Sequence, residues 1–200
     1  MKFLHFAVVV VCLFILTMSA HAQTVEDGYA AYDADDYETA KSIFIPLADA
    51  GNAKAMNAIG VMYSQGRGYP KDRKLACDWY ERSAEIGYIS AQNNLSICYE
   101  DGDGRPKNMD KALDWTERAA AQGDLDSQVS LIRMYSGIDK NKAKFWGQKA
   151  LNRNSAMARV AMWGYDIPHT GLQASRLDIL CVYVMIGLFG KPWDYCDYKD

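Results

Sequence analysis

The chain has 200 residues, of which 50% are hydrophobic and 24% are charged, and its formal net charge is −3 at pH 7. This length is enough to bury a core as one domain. The small negative charge is spread along the chain, which excludes a basic surface of the kind that binds nucleic acid or anionic lipid.

Residues 1–22 have the organisation of a secretory signal peptide. Lys2 supplies the positive charge, Phe6–Leu16 is an unbroken apolar run, and Ala20-His21-Ala22 is a cleavage sequence. We expect cleavage near Ala22 and a mature chain that is periplasmic or secreted. The alternative is an uncleaved membrane anchor, but the apolar run is too short to span a bilayer.

The remaining chain repeats with a period of 36 residues. Small residues and tyrosines recur in step: Gly51, Gly87 and Gly123; Ala40, Ala76 and Ala112; Ala48, Ala84 and Ala120; Tyr63, Tyr99 and Tyr135. A fixed period of this length is typical of a solenoid, in which each unit buries its apolar face against its neighbours. Solenoids mostly present surfaces to partner molecules, so the pattern favours a binding role.

We divide the repeat domain, 23–190, into five helical hairpins at about 25–51, 52–88, 89–124, 125–154 and a degenerate 155–190, followed by a tail at 191–200. In the second and third units, glycines at 66–68 and 102–104 end the first helix. The outer units have a shorter turn at the same place. Ile179–Phe189 is apolar on every face, and the tail could cover it or leave it as an interface.

The two middle units resemble Sel1-like repeats, which are relatives of the tetratricopeptide repeat. The third unit carries the resemblance through Ala91–Gly104, Asp110–Trp115 and Ala119–Asp124, and the second through Gly60, Tyr63, Gly66, Gly68, Ala76, Trp79, Tyr80 and Ala84. The resemblance implies an all-α fold, a right-handed α/α superhelical solenoid, and a role in protein interaction. Ser96 and Ile132 replace the glycine found at Gly60, and their larger side chains predict looser packing there.

The same resemblance implies which residues face a partner, because the first helix of each tetratricopeptide hairpin lines the concave face. The register assigns these positions to Lys54, Asn57, Val61, Ser64, Asn93, Ile97, Glu100, Asp126, Val129 and Arg133. They are mixed and mostly polar, which suits an extended or polar segment of another protein. A solvated face without a partner is the alternative.

Four cysteines follow the predicted cleavage site, an even number that favours disulfides in an exported chain. In antiparallel hairpins, residues equally distant from the turn lie at the same height. Cys77 and Cys98 are symmetric about Gly87-Tyr88, and Cys181 and Cys196 about Leu188-Phe189. The register therefore predicts these two pairs, with buried free thiols as the alternative.

The sequence offers little for catalysis. His169 is the one histidine after the cleavage site and stands in a turn, so no metal-ligand set or catalytic triad can be assembled around it. The acidic cluster at Asp33, Asp35, Asp36 and Glu38 lies where a helix begins, and we interpret it as capping. We therefore predict no enzyme activity, no cofactor and no bound metal.

The sequence thus predicts a non-enzymatic scaffold of the bacterial periplasm that binds another protein. Two alternatives remain open. One is an immunity protein that neutralises a secreted toxin, and the other is an enzyme acting on cell-wall or β-lactam substrates, as suggested for cysteine-rich relatives. The absence of a nucleophile motif argues against the second.

Overall fold

The computed structural model describes residues 23–152 together with Ala158 and Ala161. The described residues form eight α-helices and no strand. Their bounds are α1 Val25–Asp33, α2 Tyr37–Asp49, α3 Ala53–Gln65, α4 Arg73–Glu85, α5 Ile89–Asp101, α6 Met109–Ala121, α7 Leu125–Ser136 and α8 Lys140–Leu151. Each helix packs against the next in the chain, so the predicted all-α solenoid is confirmed.

Several sequence predictions lie outside the described residues. These are the signal peptide, most of the fifth unit, the C-terminal tail, the Cys181–Cys196 pair and His169.

Side-chain caps fix where most of the helices begin. Seven of the eight have an N-cap side chain that accepts a hydrogen bond from the backbone of the first turn: Thr24, Asp36, Asn52, Asp72, Asn108, Asp124 and Asp139. These bonds satisfy N–H groups that the helix itself leaves without a partner. Within the acidic cluster, the Asp36 carboxylate accepts from the Thr39 amide at 3.1 Å, which agrees with the capping interpretation.

Small residues allow the helices to approach closely. The alanines at the repeated positions of the second helices are 0% exposed: Ala40, Ala76, Ala112 and Ala143. Each is the fourth residue of its helix, where a larger side chain would separate it from the first helix of the unit. The repeated residues therefore define a continuous core, with each hairpin buried by the next.

At one pair of facing positions, one on each helix of the hairpin, the sizes of the two side chains differ from unit to unit. In the second unit, a Cβ added at Gly60 would lie 2.6 Å from Tyr80 Cε1, so the ring occupies the space that glycine leaves. The equivalent residues are Ser96 and Thr116 in the third unit, and Ile132 with a buried Gly147 in the fourth. Ile132 is 0% exposed, and the register of the repeat places the buried Gly147 opposite it. The third unit has no large side chain at either position.

The inserted loop of the third unit is fastened to the preceding unit. Asp103 in this loop pairs with Arg73 of α4 at 2.7 Å. Arg105 pairs with two acids of α4, Asp78 at 2.6 Å and Glu81 at 2.7 Å. These contacts hold the 102–108 loop over α4, beside the cysteines described next.

A disulfide joins α4 to α5. It connects Cys77 to Cys98, whose Cα atoms are 6.2 Å apart, and both residues are 0% exposed. This is the pair that the register of the repeat predicts. It connects the second helix of one unit to the first helix of the next, and so staples the two middle units together.

Candidate functional site

Polar side chains join the first helices of successive units. Lys54 on α3 pairs with Glu26 on α1 at 2.8 Å. Asn94 on α5 donates to Asn57 on α3 at 3.0 Å. On α7, Ser127 donates to Asn93 of α5 at 2.7 Å. The first helices therefore lie side by side and form one face of the solenoid.

A cleft of about 280 Å³ opens on this face between α5 and α7. Five of the ten residues predicted to contact a partner line it: Asn93, Ile97, Glu100, Asp126 and Arg133. The structure thus brings together predicted residues from the third and fourth units, which are about 30 positions apart in the sequence.

The other five predicted residues, Lys54, Asn57, Val61, Ser64 and Val129, do not line this cleft. Lys54 is held by its ion pair, and Asn57 is only 5% exposed because it packs against Asn94. Ser64 accepts a hydrogen bond from Arg73. Val61 and Val129 are half-buried against the core. These side chains mainly connect neighbouring helices.

Five lining residues were missed by sequence reasoning: Ser96, Thr116, Ser127, Ser130 and Met134. Thr116 lies on α6, a second helix, and the family register gave no reason to include it. The departure of Ser96 from the glycine position was visible in the sequence. Its significance depends on Thr116, because only the combination of two modest side chains leaves space between the helices.

The floor of the cleft is made by these two hydroxyl groups. The Ser96 and Thr116 hydroxyl oxygens lie 2.8 Å and 2.9 Å from the Ala112 carbonyl oxygen and 2.6 Å from each other. One hydroxyl therefore donates to the carbonyl and the other donates to that hydroxyl, because each has a single hydrogen. Both residues are nearly fully buried, 4% and 3% exposed, so the floor is polar, rigid and fixed to the backbone of α6.

An ion pair forms one wall. The Arg133 guanidinium donates to both carboxylate oxygens of Glu100, at 2.7 Å and 3.0 Å. This hydrogen bonding lowers the pKa of the Glu100 carboxyl, although partial burial acts in the opposite direction. Bidentate pairing of this kind fixes geometry as well as charge, so the wall links α5 to α7 across the cleft.

Comparison with known proteins identifies the repeat. The family model described as the Sel1 repeat matches residues 53–88, 89–124 and 136–155. The chain is a Sel1-like repeat protein. Sel1-repeat proteins generally act as protein-interaction scaffolds and are typically non-enzymatic. No curated protein sequence matched the chain significantly.

Solved structures of Sel1-like repeat proteins share this fold. A Sel1 repeat protein from Oxalobacter formigenes is 28% identical with a TM-score of 0.66, and the match covers 81% of this chain and 69% of that one. A protective antigen present in uropathogenic Escherichia coli strains, which displays an SLR fold, is 25% identical with a TM-score of 0.66. That match covers 82% of this chain but 38% of the antigen.

Two further features of this Sel1-like repeat protein concern metal binding and membrane spanning by the described residues. No group of three or more His, Cys, Asp or Glu side chains among them is arranged to hold a metal ion. No helix in the same part of the chain has the length and apolar character needed to cross a membrane.

The Glu100–Arg133 pair predicts a pH-dependent contribution to stability. A carboxyl whose pKa is lower in the folded state stabilises the fold above its unfolded pKa, about 4.3, and loses that effect as the pH falls through the folded pKa. Because Arg133 is half exposed, we expect Glu100→Gln to lower the free energy of unfolding by at most about 1 kcal/mol at pH 7. Measured by urea unfolding, the difference from wild type should shrink as the pH falls below about 4.3 and disappear once the Glu100 carboxyl is protonated in the folded state.

A matched control is Glu85→Gln, which removes an exposed carboxylate at the end of α4. It should leave stability unchanged over the same pH range. An equal loss for Glu100→Gln at pH 7 and at the acid end of that range would show that the ion pair does not cause the effect.

Proposed function

We propose that this protein is a non-enzymatic scaffold of the bacterial periplasm that binds an extended segment of a partner protein along α5 and α7. The observation that carries the proposal is the cleft. It combines side chains from two units on the face formed by the first helices, and eight of its ten lining residues are polar or charged. An extended segment can bury a few side chains in such a cleft while its backbone follows the neighbouring helices.

The arrangement of the hydroxyl groups supports binding over catalysis. A nucleophilic serine or threonine needs a base that takes its proton. Here one of the Ser96 and Thr116 hydroxyls donates to the Ala112 carbonyl and the other donates to that hydroxyl, so neither has a base as its acceptor. The hydroxyl of Ser127 donates within a network formed by Asn93 and Asp124. These groups are therefore held as fixed parts of a surface.

The periplasmic part of the proposal rests on the sequence of residues 1–22 and on the Cys77–Cys98 disulfide, since disulfides persist in oxidising compartments. The N-terminal residue of the protein recovered from a periplasmic fraction should be Gln23. A full-length chain confined to the cytoplasmic fraction would contradict this location.

The binding role can be tested with a variant that fills the cleft. Ser96→Gly combined with Thr116→Tyr installs the residue pair of the second unit, in which a tyrosine ring packs over a glycine. We expect affinity capture from periplasmic extract to recover a specific protein with the wild type and to lose it with this variant. Circular dichroism and thermal unfolding would establish that the variant is folded.

The matched control is Leu75→Ser, which changes an exposed side chain of α4 that does not line the cleft. It should capture the same protein as the wild type. If the cleft-filled variant captures that protein equally well, then the partner binds elsewhere on the scaffold. If the wild type captures no specific protein, the scaffold proposal loses its main support.

A further inference from the structure

The 102–108 loop closes directly over the sulfur of Cys77. The Asp103 carbonyl oxygen lies 3.4 Å from Cys77 Sγ, and a Cβ added at Gly104 would lie 2.8 Å from the same atom. Both cysteines of the disulfide are 0% exposed. Thiol–disulfide exchange begins when an external thiolate reaches one of the two sulfur atoms, so the loop shields Cys77 Sγ from a reductant.

The next junction between units shows that the loop contributes to this burial. The residues that stand 36 positions after the two cysteines are Leu113 and Met134, at the junction of the third and fourth units. The turn that follows there is short, 137–139, and these two residues are 8% and 7% exposed. Packed helices alone therefore leave such positions slightly accessible, and the longer loop completes the burial of the cysteines.

Polar contacts, rather than apolar packing, hold the loop against α4. Its sequence, Gly-Asp-Gly-Arg-Pro-Lys-Asn, has no aromatic or branched aliphatic side chain. The Arg105 side chain is 14% exposed and pairs with Asp78 at 2.6 Å and Glu81 at 2.7 Å. Asp103 pairs with Arg73 at 2.7 Å. A segment with few buried apolar contacts opens locally at a lower free energy than global unfolding requires, so the loop can lift while the helices stay packed.

Both ends of the loop are anchored to the last turn of α5. The Gly102 amide donates to the Cys98 carbonyl at 3.2 Å, and the Asn108 amide donates to the Tyr99 carbonyl at 2.8 Å. An opening can therefore be confined to the residues between these anchors, without unwinding α5 or α6. Arg105 lies at the centre of that segment and makes two ion pairs to α4, so it controls the opening.

We propose that Cys77 Sγ is a site of thiol–disulfide exchange that the 102–108 loop gates. When the loop lifts, a thiolate of an external dithiol attacks Cys77 Sγ, the bond to Cys98 Sγ breaks, and the electron pair stays on the Cys98 sulfur. The second thiol of the dithiol then attacks its own sulfur in the mixed disulfide and releases Cys77. The dithiol leaves oxidised as a cyclic disulfide, and its two protons pass to the two cysteines.

Gating by a loop and exposure by global unfolding depend differently on urea. Lifting a short loop exposes little surface, so the rate of reduction through the loop changes little at low urea concentrations. Global unfolding exposes the whole core, so reduction by that route rises steeply with urea from the lowest concentrations. The slope of the rate against urea therefore identifies the route in the wild type, without any variant.

The test measures how fast dithiothreitol reduces the oxidised protein in native buffer. Initial rates are used, because complete reduction of the wild type requires denaturant. Released thiols are alkylated, and peptide mapping by mass spectrometry reports Cys77 and Cys98 separately from the other cysteines. Arg105→Gln should accelerate the reaction by about tenfold, because it removes two charge-assisted hydrogen bonds that close the loop. Circular dichroism would establish that this variant is folded.

The matched control is Arg118→Gln, which removes a 3.0 Å ion pair to Asp114 within α6 and should leave the rate unchanged. A monothiol identifies the attacked sulfur. Brief exposure to glutathione followed by iodoacetamide should leave glutathione on Cys77 and the alkyl group on Cys98. Glutathione found on Cys98 instead would overturn the assignment of the attacked atom.

Four other results would overturn the gated site. These are free thiols at both positions in the recovered protein, a wild-type rate that rises steeply from the lowest urea concentrations, no acceleration by Arg105→Gln, and equal acceleration by Arg118→Gln. If Arg105→Gln does not fold, the urea dependence of the wild type decides the question. None of these measurements involves a partner protein, so their outcome is independent of the proposed scaffold function.

Discussion

Reduction of the Cys77–Cys98 disulfide should lower the free energy of unfolding by about 3 kcal/mol, because it releases a loop of 21 residues in the unfolded chain. This bond has a large expected effect because it joins separate repeat units. In a solenoid each unit contacts only its neighbours, so weakening one junction exposes the core on both sides of it. Urea unfolding of the oxidised and reduced wild type would measure the difference.

The control is a variant in which both cysteines are replaced, Cys77→Ala with Cys98→Ala. Its unfolding midpoint should not respond to reductant through this pair, so any remaining response reports on Cys181 and Cys196. Because both sulfurs are fully buried, reduction has to be carried out in denaturant before refolding. Identical unfolding curves for the oxidised and reduced wild type would contradict the predicted contribution.

Gly104→Ala should destabilise the protein by about 2–4 kcal/mol, through left-handed backbone strain and overpacking together. Gly104 has φ +83°, and an added Cβ would lie 2.3 Å from the Arg73 carbonyl oxygen and 2.8 Å from Cys77 Sγ. The first of these contacts is with backbone, which cannot move aside as a flexible side chain can. We expect the 102–108 loop to separate from α4.

Gly87→Ala is the matched control for this prediction. Gly87 also has positive φ, +99°, but no atom lies within 4 Å of its added Cβ. The Gly87→Ala substitution should therefore lower the free energy of unfolding through backbone strain alone, by about 1–2 kcal/mol. Urea unfolding of both variants separates strain from steric clash, and equal losses would show that the close approach of the loop to α4 does not matter for stability.

The helical hairpins were predictable from particular residues. The glycines at 66 and 102 end α3 and α5 in the left-handed conformation, where a residue without a side chain is favoured. The alanines at 40, 76 and 112 mark where helices cross, and all three are fully buried. These are local rules that act within one hairpin and repeat with the period, so the sequence alone carries them.

The candidate site was predictable only in part. The register placed Glu100 and Arg133 on the partner-facing side, and the structure joins them across the cleft. The register could not show that Asn57 is buried between helices, since that depends on where Asn94 of the next unit lies. Thr116 was missed for a related reason, because it reaches the cleft from a second helix.

By itself the sequence determined the repeat, its helical hairpins and the Cys77–Cys98 pair, because each follows from spacing within or between adjacent units. Only the tertiary structure decided where space remains between the packed helices. In the third unit, a cleft exists at Ser96 and Thr116 because both facing side chains are of modest size. In the second unit Gly60 faces a tyrosine, and in the fourth the register places Ile132 opposite a glycine. The packing of one helix against another sets that difference, since each residue fills or leaves space according to the residue that it faces.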